Sequence, residues 1–567
     1  MHGIVVLIII GVLYILILKN KIKINFITLF LLALIGVSSV YLLTNIKKTN
    51  VTYVKMETPE QISEIWKNYS NQVLENDVQL TRTLNPYKVL DENLREPNQV
   101  ITDDENIYSI SGSKVVITQV KDLDVIHEIT YIGQPFRPMF LYVTNEKLIV
   151  IGEAGKKTRG YIYNKGDYSE FKNFQMDATY ITSRLINDEL FIVSSKILDH
   201  KMKTKERPIY RYNGVTKYVP YSSIYYVKNT YPNNYVNIMK TNINKKDDPK
   251  IMSYLGLGQV LYFSPAHIYI AEERYAKDTG NSNKTILIKI NNQNLNISGL
   301  QEVSGYVLDQ YSLNEYKGNL RVATSTHDEK NTKESNHVYI LNDDMKIVGR
   351  LENFSEGNEI QAAVFIKDKA YIETFNILDP FYVIDLKNEK KPKIINELKF
   401  EGYNTNFVPY DENHILAFGL VLNNNKQSIG LKVSLYDVED PHKVTIISKD
   451  TIMYKDYNSA YTDVLYDCQS LLLDRDKNIL GFPIVYWINE KGKEVAYYKQ
   501  FYSIYHVDTK GLKKLGKISH YEKAMFNNVD DDIKRGLIIN NKIYTVSDKL
   551  IKENSLNKLR LINEVHL

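Results

Sequence analysis

Three groups of side chains in this sequence have the types and placement to do chemistry. The first is a set of carboxylates beside strand-like runs, Asp379, Asp411 and Asp467. Two carboxyls facing one cleft with separated pKa values can act as general acid and base on a glycosidic bond. The second is a set of arginines, Arg184, Arg321 and Arg535, at similar places near the first or second strand of their units. Projecting into a shared channel, they would form an anion-binding ring of guanidinium forks. The third is the acidic run Asp530, Asp531 and Asp532 before a strand, with Asp103-Asp104-Glu105 next in density. Oxygen-rich turns of this kind are ligands for Ca²⁺, the one cofactor the sequence brings into view.

Each group has a plainer role. Acidic runs serve as solvated turns, and arginines serve as ion pairs that stitch neighbouring units. Cys468 reads as a small buried residue, since no base stands near it in sequence. As the sole cysteine, it excludes an intramolecular disulfide and a cysteine-based zinc site. The chain has no Gly-x-Ser-x-Gly elbow, His-Glu-x-x-His, phosphate loop or EF-hand loop. With two tryptophans, Trp66 and Trp487, it cannot stack one per unit as quinoprotein dehydrogenases do. Lys plus Arg, 71, nearly balances Asp plus Glu, 67, so no face is obliged to be basic and nucleic acid is not an expected partner.

These residues are carried by a recurring unit. Polar turns are followed by runs of β-branched and aromatic residues, as in Asn145-Glu-Lys-Leu-Ile-Val150, Asn187-Asp-Glu-Leu-Phe-Ile192 and Asn540-Asn-Lys-Ile-Tyr-Thr545. Later strands often end in Asp, as in Phe381-Tyr-Val-Ile-Asp385 and Ser503-Ile-Tyr-His-Val-Asp508. Alternating runs joined by polar turns are hairpins, and four-strand units at a fixed long period are propeller blades. Units begin near 99, 139, 179, 257, 309, 359, 404, 463 and 533. The expected fold is therefore all-β, a β-propeller of eight to nine four-stranded blades over residues 97–567.

The N-terminus has another character. Residues 3–18 and 26–44 carry no charge; the second run is of a length to span hydrocarbon and the first is at the short edge of it unless Met1 and His2 sit at the interface, so residues 1–45 are expected to form a transmembrane hairpin. Lys19, Lys21 and Lys23 in its loop outnumber Lys47 and Lys48 beyond it, which favours a cytoplasmic loop and both termini outside. Thr58-Pro59-Glu60 starts a helix over about 58–75. Ile62, Ile65, Trp66, Tyr69, Val73 and Leu74 fall on one side of it, and the helix lies within a linker at 46–96.

Several stretches together resemble a known family. They are Val100-Ile-Thr-Asp-Asp-Glu-Asn-Ile-Tyr108, Tyr180-Ile-Thr-Ser-Arg-Leu185, the run from Leu308 to Thr324, Leu378-Asp-Pro-Phe-Tyr-Val-Ile-Asp385, Pro409-Tyr-Asp-Glu-Asn-His414, Gly481-Phe-Pro483, Gly516-Lys-Ile-Ser-His520 and the run from Arg535 to Ser547. From about residue 58 onward the chain resembles the bacterial and archaeal secreted proteins with a C-terminal β-propeller domain, distantly related to WD40 repeats. The resemblance implies a propeller and an exported location, and it carries no established activity. The chain departs from that pattern at Asp467-Cys468, where the family usually has His after Asp, and in having two hydrophobic spans. The functional expectation is a membrane-anchored extracytoplasmic module that binds a cell-envelope protein or glycan. A channel-centred hydrolase or lyase acting on envelope glycans is the alternative.

Overall fold

The computed structural model describes residues 51–567 except 71–93, 132, 134, 199–206, 229–233, 257, 259, 275–283, 327–333, 376–379, 400–401, 426, 455–458, 490–495, 522–523 and 526–530. The hairpin expected over 3–18 and 26–44 lies outside these residues. Among the described residues no helix is long and apolar enough to cross a membrane.

Alternation of buried and exposed positions produces strands throughout. Among the described residues they form nine sheets, most of them four-stranded antiparallel meanders. In chain order the blades cover 100–130, 137–176, 179–255, 260–304, 313–354, 359–399, 403–453, 459–518 and 535–566. Each blade buries both faces against its neighbours. Leu141 and Val150 of blade 2 pack on Ile110 and Ile117 of blade 1, and Ile415 and Ala417 of blade 7 pack on Val364 and Val383 of blade 6. Leu537 and Tyr544 of blade 9 pack on Val100 and Ile107 of blade 1, which closes the ring. The close approach of blades is visible at Gly349 in blade 5, where a Cβ would stand 1.7 Å from the Glu389 carbonyl oxygen of blade 6.

Many of the buried tyrosines, in a chain that holds 44, find their use in these seams. A buried tyrosine is a large apolar filler whose hydroxyl needs a partner. Here the neighbouring blade supplies it. The Tyr269 hydroxyl donates to Glu315 Oε2 at 2.8 Å, that of Tyr505 to Asp450 Oδ2 at 2.9 Å, and that of Tyr254 to Glu272. The Tyr142 and Ser183 hydroxyls lie 2.9 Å apart. Between blades 6 and 7, Glu373 accepts from the Asn404 backbone N–H at 2.7 Å and from its side-chain amide. That amide also donates to the Tyr436 hydroxyl at 3.1 Å.

Three additions depart from the plain meander. The hairpin Ile209–Tyr212 with Val215–Tyr218 leaves the long insertion of blade 3 to extend the outer edge of blade 2. The strand Tyr53–Lys55 pairs with Ile224–Val227 at the outer edge of blade 3. Helix α1, Pro59–Ser70, follows it and buries Ile62 in a cluster with Met56, Val219, Ile224 and Leu255. The expected linker at 46–96 is therefore docked on blade 3 in its described early part, because Ile62 and Ile65 of α1 pack into that cluster. The continuation expected to residue 75 lies outside the described residues.

At the other end of that linker, Leu94–Arg95 pairs with Ile186 and Leu185 on the inner edge of blade 3. Asn98 then bridges Leu141 of blade 2, and the chain enters blade 1 at Val100. The segment 94–98 thus runs along the axis of the ring.

Candidate functional site at the channel mouth

The axis is occupied by side chains from several blades. Arg184, 2% exposed, lies on the innermost strand of blade 3, Thr179–Ile186. Its Nη2 stands 3.2 Å from Glu96 Oε1 and 3.3 Å from Gln310 Oε1 at the entrance to blade 5. Its Nη1 donates to Thr182 Oγ1 and the Ser183 carbonyl, both at 2.7 Å, and the guanidinium covers the Phe263 ring of blade 4 at 5.5 Å. Arg535, first residue of blade 9, has its pKa lowered by burial, an effect opposed by Tyr502 and Glu96. Of the three arginines expected in an anion ring, Arg184 therefore pairs with Glu96, and Arg535 on the first strand of blade 9 feels the same charge. Arg321 is placed elsewhere. It bonds Asn314 Oδ1 at 3.0 Å and the Lys367 carbonyl, between the rings of Tyr316 and Phe365. Burial lowers its pKa to about 10. It stitches blade 5 to blade 6, because the second strand of a blade faces its neighbour and not the axis.

Toward one end of the axis, blade 8 breaks its innermost strand. Ser459–Tyr461 and Leu472–Asp474 both pair with Ile479–Asn489, and residues 462–471 leave the sheet between them. Val464, Leu465, Cys468 and Leu471 of this insert are buried in the core shared by blades 7 and 8. Blade 7 holds it: the Thr405 hydroxyl donates to the Leu465 carbonyl at 2.8 Å and Asn406 Nδ2 donates to the Val464 carbonyl at 2.7 Å. Asn98 Nδ2 donates to the Gln469 carbonyl at 3.0 Å. Cys468 meets Asn406 Nδ2 at 3.2 Å, so its thiol is a packed group of the insert.

What the insert presents is acidic and aromatic. A turn over Asp463–Leu465 accepts the Asp467 N–H at the Asp463 carbonyl, 2.7 Å, placing the two carboxyls on one short loop. Tyr461 and Tyr466 stand exposed beside them, at 42% and 52%. Burial raises the Asp467 pKa from 3.8 to about 6, opposed by the Gln469 N–H and reinforced by the Asp463 charge. The surrounding protein also raises Asp463, against a bond from Tyr461; its exposed surface lets solvent moderate that shift. Asp532, in the connection into blade 9, is raised to about 6 by burial, although Tyr521 and Tyr498 hydrogen-bond to it. Asp531 and Asp463 add to the same effect. Three carboxyls thus share one electrostatic neighbourhood, with Asp463 acting on both Asp467 and Asp532.

The remaining expected residues fall as follows. Asp411 lies in the hairpin joining the first two strands of blade 7, bonded to the Asn413 N–H at 2.7 Å and His414 Nδ1 at 2.8 Å. Such hairpins stand at the opposite end of the blades from the connection that holds Asp532, so Asp411 does not share a cleft with Asp467. Asp379 and Asp530 lie outside the described residues. Asp531 Oδ2 is 3.9 Å from Lys549 Nζ, and among the described residues no group of three or more His, Cys, Asp or Glu side chains is arranged to hold a metal ion. Asp463, Tyr461 and Tyr466 had no motif to mark them. The Asp463–Asp467 spacing was the one available signal, and it means something only once the strand around it is known to be broken. A recess of about 440 Å³ at the hairpin end of blades 2 and 3 is lined by polar residues such as Thr144, Asn145 and Asp188. It lacks the apolar wall that small-molecule sites use.

The raised carboxyls have a consequence for stability. A folded-state pKa above the unfolded one means that the folded chain binds more protons between the two values. The contribution of Asp467 and Asp532 to stability therefore falls as pH rises from about 4 to about 6 and is level above that, while carboxyls held below their ordinary values, such as Asp103 and Glu315, contribute the opposite slope. Asp467→Asn is expected to shallow this slope, with Asp532 supplying the remainder. Urea midpoints taken across that range test it, and an unaltered slope in the variant would mean that the Asp467 carboxyl is solvated.

Among known sequences, the beta propeller domain model matches residues 89–559. An uncharacterised protein of Methanocaldococcus jannaschii is 32% identical over 248 residues, covering 43% of this chain and 34% of that protein. One of Archaeoglobus fulgidus is 32% identical over 200 residues, covering 35% of this chain and 30% of that protein. The match thus spans about a third of the length of these relatives. Among solved structures, apo AztD from Citrobacter koseri aligns over 84% of this chain and 94% of its own, at 9% identity and a TM-score of 0.33. Hsv2 of Kluyvelomyces marxianus aligns over 62% and 98%, at 9% identity and a TM-score of 0.31. With the family model running through all nine sheets, this chain belongs to the beta propeller domain family.

Proposed function

We propose that this chain is a membrane-held binding module whose propeller stands outside the cell and takes an envelope glycan at the channel mouth around residues 462–471. The observation that carries the reading is the pairing of exposed Tyr461 and Tyr466 with Asp463 and Asp467 on one loop anchored in the core. Tyrosine offers an apolar ring face for a sugar and a hydroxyl for its edge. The carboxyls accept from sugar hydroxyls, and loops on a rigid propeller suit recognition. The membrane part of the reading is supported by the two uncharged N-terminal runs and the lysines between them.

Full-length protein incubated with fractionated cell envelope is expected to capture a glycan fraction saturably and unaltered. Tyr466→Ala is expected to weaken capture about tenfold, which corresponds to about 1.4 kcal/mol. Capture that persists equally in Tyr466→Ala and Asp467→Asn would sink the assignment of this site. A hydrolase is the second reading, favoured by the Asp467 pKa near 6, which suits a general acid. Release of small saccharides from the captured fraction, abolished by Asp467→Asn, would establish it.

A further inference from the structure

On the outer part of blade 8, the strand Ala496–Asp508 pairs with Gly511–Ile518. Lys499, Phe501, Ser503 and Tyr505 alternate onto one face of the first strand, since successive side chains point to opposite sides. Across from it, Ser503 faces Lys517 and Tyr505 faces Lys514. Residues 514 and 517 would ordinarily point to opposite sides. The register shift between Ile504 and Tyr505 inserts one extra residue at this point, and such a bulge re-aims the side chains that follow it. Lys514 is thereby turned to the same face as Lys517 and Lys499.

The rings beneath hold these cations in place. Lys517 Nζ lies 3.7 Å from the centre of the Phe501 ring, and Lys514 Nζ 5.6 Å from that of Tyr505. The Tyr505 hydroxyl reaches Asp450 of blade 7, so that acid is engaged below the lysines. Lys514 and Lys517 are both exposed. Burial and then the charges of Lys514 and Lys499 hold the Lys517 pKa below the ordinary lysine value. Like charges gathered on one face cost stability in the free protein, and an anion laid across them removes that cost.

We propose that this face of blade 8 is a binding site for a linear polyanion whose negative groups repeat along its length, such as a phosphodiester polymer. The lysines follow the strand direction for several residues, at about 3.4 Å per residue, which suits a chain of charges better than one compact anion. The surface is separate from the channel mouth, so either assignment can fail without the other.

The test uses the full-length chain with long-chain inorganic polyphosphate as the probe, in buffers from low to moderate salt. Saturable binding is expected, weakening steeply as salt rises. Lys514→Gln and Lys517→Gln are each expected to reduce affinity about threefold to tenfold, and the double variant further. Lys346→Gln is the control of equal charge change, at a lysine already 3.0 Å from Asp344, and is expected to leave affinity unchanged. Three results would overturn the proposal: absence of saturable binding at low salt, equal weakening by Lys346→Gln, or orthophosphate competing as well as the polymer at equal phosphate concentration.

Discussion

Arg184→Met is expected to destabilise the protein by about 3–5 kcal/mol, the loss typical when one member of a buried ion pair is removed. The substitution keeps an unbranched side chain in a site 2% exposed, so packing is largely retained. What disappears is the cation 3.2 Å from Glu96 and its bonds to Thr182, Ser183 and Gln310. Those bonds reach from blade 3 to the entrance of blade 5 and to the axial segment 94–98, so several parts of the ring lose their common partner. The urea midpoint, read with its slope, measures the effect. A loss under about 1 kcal/mol would mean that Arg535, which already feels the Glu96 charge, takes over the pairing. It would also return Arg184 to the list of residues free to meet an anion.

Glu373→Ala should be nearly as damaging. The carboxylate is 2% exposed and accepts two donors from Asn404, its backbone N–H at 2.7 Å and its side-chain amide. An orphaned buried donor costs about 1–3 kcal/mol, so two leave an expected loss of about 2–6 kcal/mol. Relief from burying a charge offsets part of it, which favours the lower half of that range. Glu373→Gln keeps one acceptor oxygen and should fall between wild type and alanine. If glutamine proves as costly as alanine, the charge itself is what the Asn404 amide and the adjacent Tyr436 hydroxyl require.

Both sites show what could and could not be read along the chain. Blade starts were legible because each pairs a polar turn with a run of alternating character. The unit expected near 179 begins at Thr179, and the one expected near 359 begins at Glu359. The partner of each buried polar group was not legible. Glu373 and Asn404 belong to different blades, and Glu96 meets Arg184 from a segment almost ninety residues earlier that lies against the inner edge of blade 3. Pairings of this kind are made when separate elements pack together, which leaves no periodicity behind. For the same reason the arginines looked equivalent in sequence. Arg184 and Arg535 lie on innermost strands, while Arg321 lies on a second strand, Asn319–Thr326, and one strand of difference turns a residue from the axis to a seam. Asp467 drew notice through a family pattern. Its neighbours Tyr461, Asp463 and Tyr466 did not, since an interrupted strand and a loop have the same local composition.

The path of residues 94–98 along the axis also dictates an order of assembly. Arg95 is synthesised early, yet its pairing partner Leu185 comes only with blade 3, and the bond from Asn98 to the Gln469 carbonyl spans 371 residues. Contacts of such long sequence separation form late, because the loop entropy must be met before they stabilise anything. The axial segment therefore waits, unpartnered on one side, while blades 4 to 7 are made, and blade 1 keeps a bare flank until blade 9 leaves the ribosome. A chain stalled or cut before residue 535 would expose two apolar blade faces at once, the condition under which intermediates associate with one another.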